Sequence, residues 1–336
     1  MCYKEFVQNR NEEILENKFA QDKVPMFIQE FFCQLGSRAA RINYWTAIKH
    51  LIVWFIDNDV IKHTCIADVR PEDFAVIRPA TMTKYFEFLL KSISLSTFQT
   101  KRNMLSSFWT YLKQEHYIED NVVQLVRSNE FKANKTNVKK MYKLPSEEKI
   151  NHMIDRMNLK HDDFLRIRNV SIVTFLRGTG LRVSELVGLD LSDLHLSGGK
   201  LGDHYYDEPF VTVISKGHYH YGDDDKDIVF LSDSAKNALE IWLQYRVKCD
   251  YADEDAVFIC KNGKRMVEVN VKKLFSQYSN GEITPHMLRH EYTVRAIDAT
   301  KDWTLVQDQL RQKSLSTTIN HYDVGAARSI NLIQNM

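Results

Sequence analysis

Gly178-Thr179-Gly180-Leu181-Arg182-Val183-Ser184-Glu185-Leu186 is the stretch from which the rest of the chain is read. A periodic apolar segment, Phe164 to Phe175, precedes it, and the pattern resumes from Val183 to Leu189, so the glycines interrupt an otherwise helical run. Glycines at a helix break can cradle a phosphate, but the string lacks the GxxxxGK[ST] spacing and the preceding strand of a nucleotide-binding loop. Taken alone, Arg182 at a helix start reads as a surface or ion-paired residue, because arginine is seldom buried without a partner.

Outward from this stretch the texture of the chain changes near its middle. Upstream, Trp45, Ile48, Ile52 and Phe55 recur at helical spacing, as do Tyr85, Phe88 and Leu89, then Met104, Leu105, Phe108, Tyr111 and Leu112. Phe27 to about Val123 therefore reads as a small all-helical domain. Arg127, Lys132, Lys135, Lys139, Lys140 and Lys143 follow against the single acid Glu130, a basic linker that either is a solvated tether or crosses a phosphate backbone. After Pro145, Ser146-Glu147-Glu148 offers a cap and dipole-matching acids for a new helix. Phe210 to Ile214 and Asp227 to Leu231 flank the polar turn Gly222-Asp223-Asp224-Asp225 and suggest a β-hairpin. Ser234 to Arg246 is helical again, with Ala238, Leu239, Trp242 and Leu243 on one face.

The bulk properties bound the function. A chain of 336 residues can bury two cores. Its 45 basic and 44 acidic residues leave a formal charge of +1, so any affinity for a polyanion must come from how charge is distributed. The cysteines Cys2, Cys33, Cys65, Cys249 and Cys260 are odd in number and show no CxxC pair, which argues against a disulfide framework or zinc site and for a reducing, cytoplasmic setting. Met1 to Glu30 has no apolar core of signal-peptide or membrane-span length, so neither export nor membrane insertion is expected.

Three more strings carry chemistry. His286-Met287-Leu288-Arg289-His290 follows Thr284-Pro285; on a helix His286 and Arg289 share a face and could both reach one phosphate, while the plain alternative is an amphipathic helix with Met287, Leu288 and Val294 inward. Ser316-Thr317-Thr318 leads to Asn320-His321-Tyr322, although a tyrosine by default packs its ring and wets its hydroxyl. Ser215-Lys216-Gly217 ends the first hairpin strand, where a lysine is ordinarily solvent-exposed. His218-Tyr219-His220-Tyr221 and the aspartates beyond it lack a recognised metal-ligand spacing and read as a solvated hairpin tip.

In this order the strings resemble the signature boxes of the tyrosine site-specific recombinases (the integrase family): TGLR-(V/I)-S-E-L, a lysine in a β-turn, HxLRH, and GH-x-(S/D)-(I/L)-x-x-T-x-x-x-Y. The resemblance implies a mainly α fold: a helical SAM-like core-binding domain, then a mixed α/β, mostly helical catalytic domain with a small antiparallel sheet. It implies an N-terminal extension over 1–22, a core-binding domain over 23–126, the linker over 127–143, a catalytic domain over 144–322 and a tail over 323–336. The tail, with Ile330, Leu332 and Ile333, would dock on a neighbouring protomer or pack on its own. As catalytic residues the resemblance implies Arg182, Lys216, His286, Arg289 and the nucleophile Tyr322, with Tyr292 the weaker candidate for that role. Arg311 and Gln312 stand where the family carries Gly-His; a glutamine can still donate a hydrogen bond to a non-bridging oxygen, so altered or weakened chemistry is expected.

Ser96, Thr97, Lys101 and Arg102, at the start of the last long helix of the first domain, look like DNA contacts or an ordinary capped helix with a basic turn; Lys135, Lys139 and Lys140 in the linker join them. The expected partners are double-stranded DNA carrying specific core sites and three further copies of the chain, as a tetramer on two sites, with no metal and no cofactor. The activity implied is cleavage and rejoining through a 3′-phosphotyrosyl link, in integration or excision of a mobile element or in Xer-type resolution. A catalytically silent DNA-binding relative and a type IB topoisomerase are the alternatives.

Overall fold

A computed structural model describes residues 3–36, 38–126, 144–214, 226–249 and 255–312, with the backbone alone for 3–6 and 39. Lys135, Lys139 and Lys140 of the linker, Lys216 and the hairpin tip, Tyr322 and the tail lie outside the described residues. The chain divides into two compact units, Met1–Val138 and Lys139–Met336.

In the first unit the described elements are helices: α1 (Tyr3–Asp22), α2 (Met26–Cys33), α3 (Arg38–Asp57), α4 (Glu72–Ala75), α5 (Pro79–Ser92), α6 (Leu95–Gln114) and α7 (Val122–Leu125). The stripe read from the sequence is the core of α3, where Trp45, Ile48, Ile52 and Phe55 are buried. Aromatic edges knit it to its neighbours: Phe31 meets Phe108 at 5.3 Å and Phe74 meets Trp109 at 5.5 Å, both edge to face. Phe88 departs from the expected stripe. It is 44% exposed while Tyr85, Phe86 and Leu89 of the same helix are buried. The segment read as an extension contains α1, which packs on α3. Leu15 is buried, the Phe19 ring stands edge-on to Trp45 at 5.6 Å, and Asp22 accepts from Trp45 Nε1 at 3.0 Å and pairs with Lys49 at 2.5 Å.

The second unit contains α8 (Glu147–Asn158), α9 (Asp163–Thr179), α10 (Val183–Gly188), β1 (Leu194–His195), β2 (Gly199–Leu201), β3 (His204–Tyr206), β4 (Phe210–Val213), β5 (Asp227–Phe230), α11 (Asp233–Arg246), α12 (Glu268–Ser279), α13 (Pro285–Thr300) and α14 (Trp303–Leu310). Its centre is α9, whose Ile172, Val173, Phe175 and Leu176 are buried and which packs against α8, α11 and α13. Ser146 starts α8 as its sequence suggests, accepting from Lys149 N at 3.3 Å.

The two hairpin segments pair antiparallel as expected, from Phe210↔Phe230 to Val213↔Asp227, and β1 adds to the other edge of β4 in the order β1-β4-β5. Asp193 ties the base of this sheet, accepting from Thr212 Oγ1 at 2.9 Å and pairing with Lys226 at 2.9 Å. The mainly helical architecture with a small antiparallel sheet is thus the one expected. A second ribbon, β2 with β3, was not foreseen. Among the described residues no helix is long and apolar enough to cross a membrane.

Candidate active site

The glycines that opened the sequence reading have separate tasks. Gly178 stays inside α9, where an added Cβ would come within 2.6 Å of Ser232 Oγ and 2.8 Å of Ala235 Cβ, so it sets the close approach of α9 to α11. The helix ends two residues later, at Gly180 in the left-handed conformation (φ 65°, ψ 18°). A Cβ there would strike the Tyr292 ring at 2.5 Å. The chain then turns through buried Leu181, and Arg182 becomes the N-cap of α10. Glu185, in the first turn, reaches back to accept from Arg182 N at 2.8 Å and from Arg182 Nη1 at 2.6 Å.

The second string folds as a capped helix start. Thr284 Oγ1 accepts from Met287 N at 3.3 Å, and Pro285 occupies the first turn of α13, where its missing N–H costs nothing. His286 and Arg289 fall one turn apart and line the same cleft with Arg182, a depression of about 500 Å³ that also includes Ser184, Thr284 and Lys272. Arg289 is 5% exposed and donates at 2.6 Å to both Gly180 O and Leu310 O, so one guanidinium ties the C-terminal ends of α9 and α14. Burial, and then the neighbouring Arg182 charge, pull its pKa down to about 9, which leaves it protonated at neutral pH. His286 is lowered from its ordinary value by partial burial of its ring first, then by Arg289 and Arg182, which favours neutral imidazole near pH 7.

Gln312 is an expected catalytic donor and Arg311 only a departure from the motif, yet the structure gives Arg311 a specific place. It ends α14 in the left-handed conformation (φ 53°, ψ 49°), with a side chain 4% exposed that donates from Nη2 to Glu185 Oε2 at 2.7 Å and from Nη1 to Gln309 O at 2.6 Å. Gln312 is buried, its main-chain carbonyl accepting from Gln307 Nε2 at 2.8 Å.

Glu185 is thus the hub of the cluster: Arg182 and Arg311 bond it directly, and Arg289 Nη1 stands 3.9 Å from Oε2. Burial pushes this carboxyl up, but Arg311, Arg182 and Arg289 together outweigh it and hold it below its ordinary value. Three guanidinium groups against one carboxylate leave a surplus of positive charge, and Arg182, 31% exposed, presents it to the cleft. Planar, permanently charged forks beside a neutral imidazole suit an oxyanion such as a phosphodiester. The motif by itself gives Glu185 no role; its i, i+3 spacing from Arg182 is the signal for the pair they form.

Tyr292, the weaker nucleophile candidate, lines a different groove, with Phe230, Leu305 and Gln309. Burial raises its hydroxyl pKa, with Gln309, Arg295, Arg311 and Arg289 opposing. In the first unit, the cap of α6 is Ser94, two residues before Ser96; Ser94 Oγ accepts from Thr97 N at 3.2 Å, and Thr97 is exposed. Lys101, half-buried, is close enough to His50 to help burial lower the pKa of that ring. Arg102 Nη2 donates to Val123 O and Val126 O at 3.2 and 3.0 Å, closing the end of α7.

The phage integrase family model matches residues 145–327. The tyrosine recombinase XerD of Oceanobacillus iheyensis is 30% identical over 265 residues, which cover 74% of this chain and 79% of that protein. XerC of Psychromonas ingrahamii is 27% identical over 233 residues, 68% of this chain and 70% of that one. Among solved structures, the XerH site-specific recombinase bound to a palindromic difH substrate, a post-cleavage complex, matches with a TM-score of 0.60 at 18% identity, over 77% of this chain and 72% of that one. A lambda integrase (75–356) dimer bound to a COC′ core site matches with a TM-score of 0.60 at 14% identity, over 89% of this chain and 95% of that one.

Proposed function

The chain belongs to the phage integrase family of tyrosine recombinases, and from that premise we propose that it cleaves and rejoins duplex DNA at specific core sites through a covalent link to Tyr322. The observation that carries this reading is the single cleft lined by Arg182, His286 and Arg289, three residues from two distant motifs.

In the proposed reaction the Tyr322 hydroxyl oxygen attacks the scissile phosphorus, a 3′-phosphotyrosyl bond forms, and the bond to the 5′ oxygen breaks. Conserving the bond energy in the phosphotyrosine lets rejoining proceed without a nucleotide. Arg182 and Arg289 hold the non-bridging oxygens and offset the extra negative charge of the phosphorane. Neutral His286 accepts the phenol proton or hydrogen-bonds the phosphate; Lys216 donates a proton to the leaving 5′ oxygen. Gln312 supplies an amide donor to a non-bridging oxygen. Arginines and a lysine take the charge-neutralising role, so cleavage persists in chelator.

Residues 23–126 act as a core-binding domain with Thr97, Lys101 and Arg102 facing DNA, 127–143 as a basic linker contacting phosphates through Lys135, Lys139 and Lys140, and 144–322 as the catalytic domain. The assembly is a homo-tetramer on two DNA sites, the tail 323–336 docking between protomers, in the cytoplasm. The biological role is integration or excision of a mobile element. Xer-type resolution is the second reading, favoured by the likeness to XerD across 79% of that protein.

The test is a pool of nicked duplexes tiled across the DNA flanking the coding region, incubated with the full chain. Wild type traps a covalent adduct that Tyr322→Phe abolishes. A chain that only shifts the duplex is a silent binder, and one that relaxes supercoils without sequence preference is a topoisomerase.

A further inference from the structure

Arg311 ends α14 in a left-handed conformation that any residue with a Cβ disfavours, at a position where the family motif carries glycine. Glycine would end the helix without strain, but Lys301 ends α13 in the same conformation with an exposed side chain, so it is the placement of the Arg311 side chain, not its backbone, that assigns it a task. That side chain is buried and spans to Glu185, 126 residues away in sequence, at 2.7 Å. The arrangement around the carboxylate defines the work. Oε1 takes Arg182 Nη1 at 2.6 Å, and Oε2 takes the Arg182 main-chain N–H at 2.8 Å and Arg311 Nη2 at 2.7 Å. Arg289 Nη1 lies 3.9 Å from the same Oε2 and instead donates to Gly180 O at 2.6 Å.

We propose that Arg311 is a positioning residue for strand cleavage: by occupying Oε2 of Glu185 it keeps that carboxylate from drawing Arg289 off the scissile phosphate. The proposal rests on the strand-transfer reading above. Without Arg311, a buried carboxylate oxygen has an open acceptor site, and the nearest cation able to fill it is Arg289. Closing that gap moves the guanidinium by about 1 Å, a displacement on the order of 100-fold in rate for a group that must meet a transition state. Arg311 is also the strongest of the charges that oppose burial at Glu185, ahead of Arg182 and Arg289. Its loss therefore raises the Glu185 pKa, and protonation at low pH removes the pull. The charged groups facing Glu185 are Arg182 from the start of α10, Arg289 from α13 and Arg311 from the end of α14. His286, lowered by burial and then by Arg289 and Arg182, titrates in the same cleft, so the Glu185→Gln pair is what assigns a pH effect to the carboxylate.

The experiment compares single-turnover adduct formation by the full chain on the nicked duplex that wild type captures, for Arg311→Gly, Arg311→Lys and the pair Arg311→Gly with Glu185→Gln. Thermal melting and duplex binding are measured beside it. Arg311→Gly relieves the backbone strain but leaves buried Glu185 one cation short, so it melts below wild type; at a temperature where it is folded and binds DNA it forms adduct about 10- to 100-fold more slowly at pH 8. The deficit narrows as pH falls, Arg311→Lys is intermediate, and adding Glu185→Gln restores part of the rate. Wild-type speed in Arg311→Gly overturns the proposal. So does a deficit that is the same at every pH and untouched by Glu185→Gln, the mark of a structural role. A wild-type chain that forms no adduct overturns the strand-transfer reading and this proposal with it.

Discussion

The two units solve burial in opposite ways. Among the described residues, the first is filled by aromatic and aliphatic side chains, with Asn121 its buried polar one, whereas the second buries Arg168, Glu185, Arg246 and Arg289. Asn121 shows how a polar group is accommodated in the first: its Oδ1 caps α7 by accepting from Val123 N and Gln124 N, and its Nδ2 donates to Ser106 O and Thr110 Oγ1. In the second, Arg168 donates to Asn169 Oδ1 and Ile259 O and Arg246 to Ala256 O, while around Glu185 charge is compensated by charge, beside the cleft. An apolar core needs only shape and volume, so it makes a scaffold; a buried ion cluster is costly unless each member is matched, so its survival marks a site.

The contrast is most exposed to failure at Arg289. Arg289→Ala removes a cation from the cleft and the tie between two helix ends, and adduct formation on the nicked duplex falls by about 100- to 1,000-fold. Urea unfolding of the same variant loses about 3–5 kcal/mol, because Glu185 keeps its burial with one cation fewer. Full activity in this variant would remove the distinction between site and scaffold. A core substitution in the first unit, Phe108→Ala, costs about 3–5 kcal/mol in that unit's urea transition by leaving a cavity, while the transition of the second unit stays where it was. Asn121→Ala is milder, about 1–3 kcal/mol in the same measurement, since it strands the N–H groups at the start of α7.

The smallest effect is a pH slope that both units share. His50 is lowered by burial and then Lys101, His286 by burial and then Arg289 and Arg182. In each the folded state binds its proton less readily than the unfolded chain, whose histidine keeps its ordinary value of 6.5. The contribution to stability is therefore fully present above that value and is lost over the acidic interval below it. Urea midpoints of His50→Gln and His286→Gln across that interval sharpen the contrast: each flattens the slope of its own unit. A slope unchanged in both variants would assign the acid sensitivity elsewhere.

Much of this was legible in the chain because it is local. The α3 stripe, the Ser146 cap, the Thr284-Pro285 start of α13 and the pairing of Phe210 to Ile214 with Asp227 to Leu231 each depend on residues a turn or a hairpin apart. Phe88 escaped because its spacing matches a buried face while its place on α5 leaves it outside, over the His50 ring. The β2–β3 ribbon escaped because three-residue strands are too short for alternation to register. In α1 the long polar run hid Leu15, Phe19 and Asp22, whose partners lie on α3 and α2.

By itself the sequence determined the apolar face of α3, the starts of α8 and α13, and that an arginine, a histidine three before another arginine, and a tyrosine occur in one order along the chain. Only the tertiary structure decided that Arg182, His286 and Arg289 share one cleft, that Tyr292 faces another, and that Arg311 reaches Glu185. The reason is physical. Periodicity and capping are short-range preferences written within a few residues, whereas the strength of an ion pair depends on which distant segments meet and how much water they exclude when they do.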